Sequence, residues 1–369
     1  MSGQKRYIPT LDGWRALSVI GVILYHGRFG FFSDGTLPSK LAGHGSIGVD
    51  VFFAISGFLI CGLLLEEYSR TGDISLRRFY VRRCFRILPP YYVALAGICT
   101  LSVLGVLQVH YPYLPSCLLF YRNYMPLGAD QAGGFYTAHF WSLAVEEHFY
   151  LLWPMLLLGL RPKLAGRAAL TIALLVFAWR QTSATLWPAL DFGAHTDTRI
   201  DALLWGCLAA LYFPEIKRVF ERIGFRELWL PIAAILVLVE AMHVPGLTLL
   251  RAILLPALIL STVIQPTSLL GHVLEWQVFR WIGTISYSLY LWQELFLPEM
   301  ASTTAKGAFQ HLQHWPANVV AMVLCAVLSR YLIEVPMTRL GHRVSASRLS
   351  LATPAHASPG LSLEITAKV

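Results

Sequence analysis

Two ionisable residues stand eleven positions apart in a run that is mostly apolar. Arg15 and His26 lie in LDGWRALSVIGVILYHGRFG, from Leu11 to Gly30. Eleven steps of about 100° return a helix to nearly the same bearing, roughly 16 Å further along. The two side chains therefore share one stripe of one helix. An ionisable group in hydrocarbon costs about 2.5–3.5 kcal/mol on insertion scales, so such groups usually face a protein interior or a water-filled cavity. Taken singly, Arg15 reads as a residue snorkelling to headgroups and His26 as an interfacial histidine. Taken together, they mark a polar path through an apolar segment.

Other polar groups recur in the same setting. AHFWSLAVEEHFYLLWP, Ala138 to Pro154, carries Ser142 and Glu146 four residues apart on one helical face. Glu146 and Glu147 are adjacent, so one faces the bundle interior and the other the interface, where a helix-start carboxylate suits the dipole. TDTRIDALLWGCLAA, Thr196 to Ala210, offers Asp197 as an N-cap. Arg199 and Asp201 follow, either as a local ion pair or as acceptor-binding groups. ISYSLYLWQ, Ile285 to Gln293, reads mainly as aromatic packing. His26, Asp50, Glu146, Arg199 and Asp201 gather toward one side, and Arg15, Arg82, Arg83 and Arg86 toward the other. Clustered arginines suit phosphate through bidentate geometry and fixed charge. A histidine beside a carboxylate suits general-base work near neutral pH.

The elements that position these groups are membrane spans. Of 369 residues, 56% are hydrophobic and 14% charged, and the mean hydropathy is +0.57. Soluble domains of this size carry about 25% charged residues. Apolar runs recur along the chain and predict an all-α, polytopic transmembrane bundle of about ten spans. They lie at roughly 13–32, 47–65, 88–108, 141–159, 168–185, 198–213, 228–243, 248–265, 281–297 and 316–333. The intervening segments 66–87, 160–167 and 214–227 are rich in Lys and Arg, whereas 33–46, 109–140 and 298–315 are poor in them. That asymmetry places both termini in the cytoplasm. It also accounts for the net charge of +8 without nucleic acid. The segment 109–140 holds several tyrosines and serves as an aromatic belt or an acceptor surface. Residues 1–340 form the transmembrane domain, and 341–369, rich in Ser, Ala and Pro, read as a disordered cytoplasmic tail. The six cysteines show no CxxC pair or metal-type spacing, so neither a disulfide framework nor a metal is expected.

The ordered set of pieces resembles the acyltransferase-3 family of bacterial integral-membrane acyltransferases. It comprises LDGWRALSVIGVILYH with its Arg-x10-His spacing, GVDVFFAISGFLI, FYVRRCFRILPPYY, FWSLAVEEHFYLLWP, TRIDALLWG, ISYSLYLW and YLIEVP. The match runs from about Tyr7 to Arg343. The resemblance implies a multi-pass protein of the bacterial inner membrane. It implies transfer of an acyl group, typically acetyl, from cytoplasmic acyl-CoA to a hydroxyl of an extracytoplasmic or membrane-associated acceptor, mostly a glycan. Position by position, the Arg-x10-His pair falls on Arg15 and His26, and the Arg-x-x-Arg pair on Arg83 and Arg86. The carboxylate of the fourth span falls on Glu146, followed by Glu147, and the Arg-x-Asp pair on Arg199 and Asp201. Two departures stand out. Gln293 occupies a position where many members carry histidine, so it is assigned no catalysis. A soluble SGNH-type domain after the bundle is not expected from this sequence, so acceptor modification is expected of the bundle alone or of a separate partner.

The mechanism this implies gives the CoA phosphates to Arg83 and Arg86, with Arg82 assisting, and has Arg15 orient the donor further in. His26 deprotonates the acceptor hydroxyl or takes the acyl group itself. Glu146 orients His26, as a third group does in triads. A rival class is a secondary transporter of a sugar or small metabolite. It predicts Gly/Pro-broken helices in matching positions of two halves, a pattern absent from this sequence. There is no G-x-S-x-G elbow and no P-loop, and the missing P-loop argues against ATP-driven transport.

Overall fold

In the computed structural model, residues 7–127, 134–188, 190–242, 244–297 and 305–346 are described, and their regular structure is helical. The chain runs α1 (Pro9–Phe31), α2 (Leu37–Gly43), α3 (Ile47–Thr71), α4 (Leu76–Val103), α5 (Leu114–Leu118), α6 (Phe140–Leu186), α7 (Thr196–Arg199) and α8 (Asp201–Leu211). It continues with α9 (Phe213–Ile223), α10 (Trp229–Met242), α11 (Thr248–Ile264), α12 (Leu269–Leu274), α13 (Gln277–Phe296), α14 (Ala317–Ser329) and α15 (Val335–Ala346). A π-helical turn, Arg330–Glu334, joins α14 to α15. Four stretches are long and apolar enough to cross a membrane: Leu37–Thr71, Leu76–Val103, Phe135–Leu186 and Ala317–Ala346. Asp201–Leu211, Trp229–Met242 and Thr248–Ile264 are shorter apolar helices.

The basic segments expected as loops are largely helical. Only residues 72–75 separate α3 from α4. Gly72 ends α3 at φ 72°, a left-handed conformation that glycine adopts without a Cβ penalty. Ser75 Oγ then accepts from the Arg78 N–H at 3.4 Å and starts α4. Arg82, Arg83 and Arg86 consequently sit on α4 itself, on its approach to the Pro89–Pro90 pair. The segment 214–227 likewise contains most of the amphipathic α9. The expected loop 160–167 is a sharp break within α6, where Arg161 takes φ 59°, ψ 162°. Pro162 disfavours the α-region for the residue before it and removes a backbone donor. In each case hydropathy marks where lipid would end, not where the helix ends. At the C-terminal side α15 runs to Ala346, so residues 341–346 of the expected tail are helical. Residues 347–369 lie outside the described ones.

Packing is tightest where side chains are smallest. α3 packs extensively on α8 and α1 on α13. Gly57 of α3 lies against the Leu203 backbone and Gly206 of α8 against the Ala54 backbone. A Cβ at either position would overlap the opposing main chain, the close approach that small residues permit between membrane helices. The described residues of the 109–140 segment, 109–127 and 134–140, pack partly into the bundle. Tyr113, Phe135 and Tyr136 are buried, while Tyr111 and Tyr124 are exposed. Arg122, also buried, donates to the Pro126 carbonyl at 2.9 Å and lies over the Tyr113 ring.

Candidate active site

Helices α1, α3, α4, α6, α13 and α15 surround a cavity of about 210 Å³. Arg15 comes from α1 and Arg82, Arg83 and Arg86 from α4. Positions 83 and 86 are three apart and therefore neighbours on one helical face. Glu146 and Ser142 enter from α6, Ser56 from α3 and Tyr290 from α13. The Glu146 carboxylate accepts from Ser56 Oγ at 2.7 Å. Arg15 faces Asp12 at 3.7 Å, with its side chain only 11% exposed. Arg82 Nε donates to the Arg78 carbonyl at 3.3 Å. The Arg83 guanidinium lies over the rings of Phe79 and Tyr150, 5.8 and 5.5 Å from their centroids. Among the described residues Arg82, Arg83 and Arg86 form no ion pair. Phe52, Ile55, Leu59 and Leu63 supply apolar wall beside these charges. The combination suits a ligand with an anionic, phosphate-like head and a less polar arm.

His26 does not line this cavity, although it shares α1 with Arg15. Its Nε2 lies 3.6 Å from Glu294 Oε1. Glu294 Oε2 lies 2.6 Å from His139 Nδ1, and His139 Nε2 lies 3.2 Å from the Leu291 carbonyl. Tyr290 donates to the His139 carbonyl at 2.9 Å and shares a 2.6 Å hydrogen bond with Ser142 Oγ. Adjacent contacts thus lead from the cavity wall through Tyr290 and His139 to Glu294 and His26. The structure does not bring Glu146 to His26; Glu294 is the carboxylate there. Tyr290 and Ser286, in the stretch read mainly as aromatic packing, line the cavity, and Tyr290 also packs edge-on against Phe52. Glu294 and Tyr290 are four residues apart on α13, about 6 Å along the axis. Glu294 was legible as an acid inside an apolar span, one residue past the quoted motif. Gln293 is fully buried, and among the described residues neither side-chain polar atom has a hydrogen-bond partner.

Arg199 and Asp201 belong to a different cluster. Asp50 pairs with Arg199 and, at 3.5 Å, with Arg251, which also contacts Glu240 at 3.3 Å. Asp201 takes Arg180 of α6 at 3.0 Å instead of Arg199. Residues two apart on a helix point about 200° away from each other, so a local Arg199–Asp201 pair is disfavoured. His195, not Asp197, holds the N-cap position of α7, and Asp197 accepts from the Trp179 indole at 2.6 Å. Glu147 is half-buried outside the cavity lining. Among the described residues no group of three or more His, Cys, Asp or Glu is placed to hold a metal ion.

Comparison with known proteins adds an independent line. The family described as an acyltransferase domain matches residues 8–335. A protein named as a candidate peptidoglycan O-acetyltransferase in Bacillus subtilis is 32% identical over 377 residues, covering 93% of this chain and 57% of its own. The peptidoglycan O-acetyltransferase OatA of Listeria monocytogenes is 30% identical, covering 91% of this chain and 57% of its own. A candidate O-acetyltransferase of Staphylococcus aureus is 29% identical, with 92% and 58% covered. The chain therefore spans under three fifths of the length of these relatives. No solved structure matches.

Proposed function

From the premise that the chain belongs to the acyltransferase domain family, we propose that it is an acyl-CoA-dependent O-acyltransferase of the bacterial inner membrane. It moves an acyl group, acetyl by preference, to a hydroxyl of an extracytoplasmic or membrane-associated glycan. The names of its relatives, which include peptidoglycan O-acetyltransferases, favour acetyl and a cell-wall glycan. The observation that carries the reading is the cavity in which Arg15, Arg82, Arg83 and Arg86 converge beside Glu146.

Arg83 and Arg86, with Arg82, hold the donor phosphates. The three guanidiniums are without carboxylate partners among the described residues, and charge-assisted contacts to phosphate are the strong kind. Arg15 orients the donor deeper in the cavity. Glu146, fixed by Ser56, borders the arm that carries the thioester. That arm reaches His26 across the layer formed by Ser142, Tyr290 and His139. His26 acts on the acceptor hydroxyl as general base or receives the acyl group. Arg199 and Asp201 support the framework around this path, each through a partner on another element.

The test is donor-dependent covalent modification. Membranes containing the chain are given labelled acetyl-CoA, and O-acetyl groups on glycan are counted by NMR for wild type and His26→Ala at matched expression. Acetylation by wild type and not by the variant is the expected result. Uptake of an unmodified sugar without acetyl transfer would overturn it in favour of a transporter.

A further inference from the structure

The carboxylate between His26 and His139 has no part in the donor cavity, and its surroundings are specific. The Glu294 side chain is 2% exposed and that of His139 1%. Both ring nitrogens of His139 face acceptors, Glu294 Oε2 at 2.6 Å and the Leu291 carbonyl at 3.2 Å. A neutral imidazole has one N–H. With that N–H on Nδ1, Glu294 Oε2 is its acceptor, the shorter of the two contacts. That leaves Glu294 Oε1 as the oxygen facing His26 Nε2 at 3.6 Å. This distance is longer than a hydrogen bond, and contacts of this kind often tighten once substrate is bound.

We propose that Glu294 is the positioning residue of His26, itself held by His139. An acceptor oxygen at Oε1 selects the His26 tautomer that carries its proton on Nε2, so the basic lone pair is on Nδ1. The inference rests on the reading of His26 as general base. In that step the acceptor hydroxyl gives its proton to His26 Nδ1 and its oxygen bonds to the acyl carbon. The carbon–sulfur bond to CoA breaks, and the proton passes from His26 to the leaving thiolate. Atoms balance as hydroxyl plus acyl-CoA to ester plus CoA thiol. The imidazolium present in mid-step lies against the Glu294 carboxylate, in the manner of the third member of a triad. His139 spans α6 and α13 through Glu294 and the Leu291 carbonyl, so the carboxylate is fixed before substrate arrives.

Glu294→Gln is the informative substitution. The His139 N–H keeps an acceptor if the amide oxygen turns toward it, which directs the amide NH₂ at His26 and favours the opposite tautomer. The chain in lipid nanodiscs is assayed with acetyl-CoA as donor and chitopentaose as acceptor probe. The expected result is a fall in kcat of about 10²-fold or more, as for general-base loss, with the KM for acetyl-CoA unchanged. Glu294→Asp restores part of the rate. In a His26→Ala background Glu294→Gln has no further effect, which a tether between helices alone would not produce. Wild-type kcat in Glu294→Gln, or the same loss with His26 already removed, overturns the assignment. Undiminished transfer by His26→Ala overturns the general-base reading instead, and absence of transfer by wild type overturns the acyltransferase reading beneath both.

Discussion

Two clusters of half-buried arginine are built differently. Around Asp50, the guanidiniums of Arg199 and Arg251 converge on one carboxylate, Arg251 also takes Glu240, and Arg180 takes Asp201. Around the cavity, Arg82, Arg83 and Arg86 have a carbonyl, two aromatic faces and no carboxylate partner among the described residues. A buried charge that finds its partner within the fold holds helices in register. A group of like charges brought together without partners keeps its electrostatic capacity for a ligand. Paired arginines at a membrane-protein interior are therefore weak evidence for a binding site, and unpaired ones around a cavity are strong evidence.

The largest expected effect falls on the paired cluster. Asp50→Asn leaves Arg199 without its carboxylate and Arg251 with Glu240 alone, and breaking a buried pair costs about 3–5 kcal/mol. A thermal melt in detergent should show it as a marked drop in midpoint; an unchanged midpoint would erase the distinction between the clusters. The unpaired cluster should respond in the opposite way. Replacing Arg83 and Arg86 together with glutamine should raise the KM for acetyl-CoA about 10²-fold or more, since two lost charge-assisted hydrogen bonds are worth about 3–6 kcal/mol. The melting point should hold or rise, since like charges have been removed. Initial rates across donor concentration, with a melt of the same sample, read both quantities.

Ligand stabilisation sharpens the same contrast. Free CoA at about 100 times its Kd should stabilise the wild-type chain by about 2.7 kcal/mol, and the doubly substituted chain far less at that concentration. Equal stabilisation of both would move the donor site elsewhere. The smallest effect is expected at Ser56→Ala, which deletes one hydrogen bond to Glu146. A bond to a charged group is worth about 1.5–3 kcal/mol, so transfer should fall roughly tenfold or more. Retention of the full rate would remove the Glu146 orientation from the mechanism.

Much of this was legible before any coordinates. Residue type and topology gather Arg15, Arg82, Arg83 and Arg86 toward one side, and the cavity contains all four. The four-residue spacing gives Ser142 and Glu146 a shared face, but Glu146, expected on the side of His26, lines the arginine cavity instead. The partners were not legible. Glu146 meets Ser56, ninety positions away in sequence, and His26 meets Glu294 of α13. Spacing along one helix says which side chains share a face, but nothing about which other helix that face meets.

The sequence by itself determined the helical class, the apolar character and the stripe that carries Arg15 and His26. These depend on local composition and a 3.6-residue period, which every short window of chain contains. Only the tertiary structure decided that Arg199 takes Asp50 rather than Asp201, that α4 begins among its arginines, and that a glutamate of α13 stands beside His26. Those outcomes depend on which helices pack together. Here close approaches such as Gly57 on the Leu203 backbone and Gly283 on the Asp12 backbone set the pairing of α3 with α8 and of α1 with α13. With those backbones in contact, side chains far apart in sequence come within hydrogen-bond or ion-pair reach, and in a medium poor in water that proximity decides which charges are neutralised.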